Sequence, residues 1–129
     1  MAALLLGITI AAGGACASGE GAPVAPHLME IEAKIFRGSC VFSSCHGGTG
    51  PQEGLSLVSP TYAAIVDHPA TQLVTAVRVA PGAPDRSYLL EKLASDSPAV
   101  GRRMPPDQPL DSALIATVRQ WIVDGARDD

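Results

Sequence analysis

The residues from Cys40 to His46 read Cys-Val-Phe-Ser-Ser-Cys-His. Two thiols a short loop apart, with an imidazole directly after the second, form the arrangement that fastens a haem to protein. The thiols add across the porphyrin's two vinyl groups, and the adjoining histidine is held beneath the iron. The usual spacing leaves two residues between the cysteines, whereas this chain has four, so the motif is a stretched variant. A second stretch, Gly101-Arg-Arg-Met104-Pro-Pro106, supplies a complementary donor. A methionine beside two prolines cannot lie inside a helix or a central strand, so its thioether is carried on a stiff loop. Thioether sulfur is a soft donor, and opposite histidine on haem iron it favours the ferrous state and raises the potential. With His46 and Met104 filling both axial positions, electron transfer is the expected task and oxygen activation is disfavoured. No Ser/His/Asp set or paired carboxylates stand out, so an enzyme is not expected.

The elements that must position these residues can be read from periodicity. Leu28, Ile31 and Ile35 recur at helical spacing, and Gly38 is the expected stop before the cysteine loop. Gly47 to Gly54 is glycine-rich and reads as a loop, followed by an extended Gly-Leu-Ser-Leu segment. Ser59-Pro60 is expected to cap a short helix running through Tyr62 to Val66. Leu73 to Val79 is the one credible strand, and Asp85 is placed to cap a helix through Tyr88, Leu89, Leu90 and Leu93. Asp111 can cap a closing helix whose apolar face is Leu114, Ile115, Val118, Trp121 and Ile122, with Gly125 ending it.

Composition narrows the class. The chain has 129 residues, enough for one domain, and its hydrophobic share is 47% with aromatics at only 4%. So few aromatic side chains make thin filling for an all-protein core, a deficit that a large apolar cofactor would make good. Net charge is −4, with basic residues scattered apart from Arg102 and Arg103, so nucleic acid is a poor candidate partner.

Residues 1–15 form an uncharged apolar run that is too short to span a bilayer and fits a signal peptide. Gly13-Gly14-Ala15-Cys16 resembles a bacterial lipobox, although Gly13 stands where a Leu is usual and no Lys or Arg precedes the run. Plain cleavage with a free Cys16 is the other reading of this segment. Lipidation of Cys16 would leave Cys40 and Cys45 as a local pair with no odd thiol. Residues 16–26 then read as a lipidated flexible tether, and 27–129 as the domain. An exported protein, periplasmic or at the cell surface and tethered to membrane through its lipid, is expected.

From about His27 onward the chain resembles a single-haem, class I cytochrome c domain of the kind carried by exported bacterial lipoproteins. The residues that carry the likeness are Cys-Val-Phe-Ser-Ser-Cys-His-Gly from Cys40, Gly-Leu-Ser-Leu from Gly54 and Arg-Val-Ala-Pro-Gly from Arg78. Asp-Arg-Ser-Tyr-Leu-Leu from Asp85, Arg-Met-Pro-Pro from Arg103 and Gln-Trp-Ile-Val-Asp-Gly-Ala from Gln120 complete it. The resemblance implies an all-α fold wrapped around one covalently attached haem c, with the first and last helices crossing. It implies Cys40 and Cys45 as thioether positions, His46 as proximal and Met104 as distal iron ligand, and redox proteins as partners.

Other readings stand beside these. Cys40, Cys45, His46 and Met104 are also plausible soft ligands for copper. Cys40 and Cys45 could instead form a disulfide that staples a haem-free binding module. Arg78, Arg86, Arg102 and Arg103 are candidate partners for haem propionates or solvated surface residues. His68 is the reserve distal ligand, and Trp121 is a core aromatic that could also touch a cofactor.

Overall fold

The computed structural model describes residues 22–129. The expected signal peptide, the expected lipidation site at Cys16 and the expected tether as far as residue 21 lie outside the described residues. Among the described residues there are four helices: α1 over residues 28–39, α2 (Tyr62–Ile65), α3 (Tyr88–Ala94) and α4 (Ser112–Val123). Single 3-10 turns occupy Gln52–Gly54 and Pro84–Arg86. No strand occurs among the described residues, so the domain is small and helical. No helix among them is long and apolar enough to cross a membrane.

The middle of α1, Glu32–Phe36, is wound as π-helix between α-helical Leu28–Ile31 and Arg37–Ser39. In an ordinary α-helix a five-residue step turns the side chain about 140° away from its starting direction. The wider π turn reduces that angle, so Leu28, Ile31, Ile35 and Phe36 are all buried. They share one core with Leu89, Leu90 and Leu93 of α3 and Val118, Trp121 and Ile122 of α4. Burying each such large side chain contributes about 1.5–3 kcal/mol, which makes this three-helix junction the main source of stability. The helix continues through Gly38 to Ser39, one residue past the expected stop, and delivers Cys40 directly from its last turn.

Helix α4 matches its expected boundaries. The Asp111 carboxylate accepts the Ala113 N–H at 2.9 Å, satisfying an otherwise orphaned donor. At the other end Gly125 takes φ 100°, with Gly125 N–H bonding Ile122 O and Ala126 N–H bonding Trp121 O. That pair of bonds closes the helix in a Schellman turn. The N-terminus of α1 is capped from far away in sequence: Asp129 accepts Leu28 N–H on its carboxylate and Met29 N–H on its carbonyl. Val24, inside the stretch read as tether, packs on the core, and its carbonyl accepts the Thr117 hydroxyl.

Three expected elements differ. Leu73 to Val79 is not a strand; only isolated bridges form, from Val77 to Pro69 and Ser87 and from Val79 to Val66. Apolar composition alone cannot make a strand where no neighbouring strand runs alongside, and Pro69 lacks an N–H to extend the pairing. Ser59-Pro60 does not cap α2, which starts at Tyr62 with Thr61 as the flanking residue. The Ser59 hydroxyl donates to Glu32 on α1 instead, as do the Thr61 hydroxyl at 2.7 Å and the Thr61 N–H at 2.6 Å. Asp85 lies in the 3-10 turn and pairs with Arg119 at 3.4 Å, while Ser87 flanks the start of α3.

Candidate functional site: one cleft between the cysteine loop and the methionine loop

The cysteine loop folds back on itself directly after α1. Phe42 O accepts both Cys45 N–H at 2.9 Å and Gly47 N–H at 3.1 Å, and Cys40 O accepts His46 N–H at 3.1 Å. The additional length between the cysteines is thus taken up by a tight turn over residues 42–45. Phe42, Ser43 and Ser44 are exposed, and Phe42 and Ser44 face the cleft between this loop and the methionine loop. Gly47 is required where the loop closes, because a Cβ there would collide with the Val41 carbonyl.

The His46 ring is held by its Nδ1, which lies 2.9 Å from Leu55 O. A carbonyl oxygen only accepts, so Nδ1 carries a proton, and in the neutral ring Nε2 keeps its lone pair. Leu57 N–H also bonds His46 O at 2.9 Å. The Gly-Leu-Ser-Leu segment therefore grips the histidine by both ring and backbone. Such an outer hydrogen bond fixes the tautomer and raises the donor strength of the free nitrogen.

Met104 follows an irregular segment running out of α3. Its N–H donates to Lys92 O at 2.7 Å, and its half-buried side chain packs against the core. Cys40, Cys45, His46 and Met104 all line one cleft of about 790 Å³. That volume is in the range of cofactor-sized sites. Phe36, Leu55, Leu57, Leu89, Leu93, Leu110 and Leu114 give it largely apolar walls.

Both cleft cysteines are free thiols. Cys40 is buried, which pushes its pKa up to about 11, with the neighbouring Cys45 adding to the shift. Among the described residues no three His, Cys, Asp or Glu side chains converge closely enough to hold a metal ion.

The candidate cations separate into two groups. Arg78 lines the cleft and is buried, with Nη1 on Ala64 O at 2.8 Å and Nη2 on Thr71 Oγ1 at 3.1 Å. Burial lowers its pKa, and no carboxylate pairs with it among the described residues. Arg102 is exposed at the cleft wall. Arg86 and Arg103 are not on the cleft; Arg103 is held by Leu93 O and Asp96. His68 is exposed and also off the cleft, which removes it as a distal ligand in this conformation. Trp121 is a core residue only, its indole N–H satisfied by Arg127 O at 2.9 Å.

Sequence reasoning passed over Lys92. This lysine lines the cleft while only 8% exposed, and its ammonium donates to Val100 O at 2.9 Å. The available signal was its place four residues after Tyr88, which puts a charge on the inward stripe of α3. Compared with protein-family models, curated proteins and solved structures, the chain matches none.

Proposed function

We propose that this protein is an electron carrier with a single c-type haem seated in the cleft and a lipid tether at Cys16. The observation that carries the reading is that Cys40, Cys45, His46 and Met104, spread over 65 sequence positions (104 − 40 + 1), all open onto one apolar cleft. Their chemistry fits the group: two free thiols for thioether bonds, one imidazole with a free Nε2, and one soft sulfur. Haem iron held by histidine and methionine supplies a reversible one-electron couple at raised potential. The chain's own contribution is to orient His46 through Leu55, to bring Met104 in on its stiff loop, and to exclude water with leucine walls. Arg78, buried without a carboxylate partner among the described residues, is the residue to meet a propionate, because guanidinium pairs well with carboxylate. Exposed Arg102 is a weaker second.

The test is expression with a haem-attachment system. A red protein whose spectrum survives acid extraction of loose haem, with the mass of one added haem, is expected. A colourless product of unchanged mass overturns the proposal.

A further inference from the structure

Besides the bond from Ala99 N–H to the Glu91 carboxylate at 2.5 Å, the segment that carries Met104 is bound to α3 at four points. Lys92 Nζ donates to Val100 O at 2.9 Å, and the Tyr88 hydroxyl donates to the same oxygen at 3.1 Å. Arg103 Nε donates to Leu93 O at 2.9 Å, and Met104 N–H to Lys92 O at 2.7 Å. Two of these four are made by side chains that converge on one carbonyl, filling both of its lone pairs. The ammonium also lies 5.8 Å from the centre of the Tyr88 ring, so donor and ring support each other.

A lysine here has to be explained. Lys92 is on the buried stripe of α3, where leucine would fill the space without desolvating a charge. Lysines at such positions usually snorkel their ammonium to water. This one does not: it has no ion-pair partner among the described residues, and its charge is used on a backbone oxygen of the methionine loop. Gly101 agrees with this. It takes φ 72°, and a Cβ there would come to 3.2 Å from Lys92 Nζ, so the loop passes close over the ammonium.

We propose that Lys92, helped by Tyr88, is the positioning residue for the Met104 thioether: it pins Val100 to α3 and so holds the following loop with its sulfur on the cleft. The purpose of the pin rests on the haem reading above, whereas the pin itself does not. Lys92 touches the loop, not the iron.

The test uses the full chain, first without haem. In Lys92→Met the exchange of the Met104 amide proton should speed up at least about tenfold, since a charge-assisted bond is lost, while α4 amides keep their protection. Tyr88→Phe, which removes one hydroxyl, should speed the same proton several-fold and guards against a Lys92 variant that does not fold. Unchanged Met104 exchange in a variant with intact α4 protection overturns the proposal. In the haem-loaded protein the sulfur-to-iron charge-transfer band of the ferric state should fall in Lys92→Met relative to the unmutated chain. A full-strength band there overturns the positioning role. If the unmutated loaded protein lacks that band altogether, the His/Met reading fails, and the haem-free exchange still decides whether Lys92 pins the loop.

Discussion

His46 donates its Nδ1 proton to Leu55 O at 2.9 Å and accepts the Leu57 N–H on its own carbonyl at 2.9 Å. The ring is therefore oriented before any ligand arrives. His46→Ala should cost the haem-free domain only about 1 kcal/mol, the net value of one neutral hydrogen bond. Its effect on the loaded protein should be far larger, with loss of the low-spin visible spectrum. Denaturant melts of the haem-free variant beside spectra of the loaded one check both halves.

Met104→Leu conserves volume on the same loop. Packing should survive with a loss below about 1.5 kcal/mol. The sulfur donor is gone, so the reduction potential of the loaded protein should drop, as measured by redox titration. A potential equal to that of the unmutated protein removes Met104 from the iron.

Cys40 and Cys45 differ in burial, and an alkylating reagent should report it. With its pKa near 11, the Cys40 thiol in the folded haem-free protein should alkylate about tenfold faster per pH unit between pH 8 and 10. The same shift links to stability. The folded pKa lies above the ordinary value of 9.0, so the folded state favours the protonated thiol. Its contribution is complete below pH 9 and declines as pH rises towards 11. Cys40→Ala should flatten that alkaline decline in urea melts.

Glu32 ties α1 to the start of α2. Burial works against its charge, but bonds from Ser59 and Thr61 outweigh this and hold its carboxyl below the ordinary range. A depressed folded pKa contributes stability above the unfolded value, and that stability is lost as pH falls through the folded one. Glu32→Gln should destabilise the domain by about 1–3 kcal/mol at neutral pH and weaken its acid dependence. Equal acid limbs in the two melting series count against the clamp.

Gly47→Ala tests the closure of the stretched cysteine turn. Its Cβ would strike the Val41 carbonyl, so the turn must open or shift. Loss of protection at the Cys45 and His46 amides is expected, together with a fall in haem attachment of tenfold or more.

The amino-acid sequence by itself determined the chemical inventory and the long helical faces. Cys40, Cys45, His46 and Met104 are legible from type and spacing, and the boundaries of α4 from Asp111, its apolar face and Gly125, because caps and periodicity are local. Tertiary structure decided what depends on partners remote in the chain. Ser59 and Thr61 turn to Glu32 instead of serving α2, Leu73 to Val79 finds no strand to pair with, and Arg78 and Lys92 are drawn inward while Arg86 is left in solvent. A backbone carbonyl such as Leu55 O or Val100 O carries no side-chain signature, so no inspection of residue types could assign it to His46 or Lys92. Only the folded chain brings those oxygens within hydrogen-bond reach, where Leu55 O orients the His46 ring and Val100 O ties the methionine loop to α3.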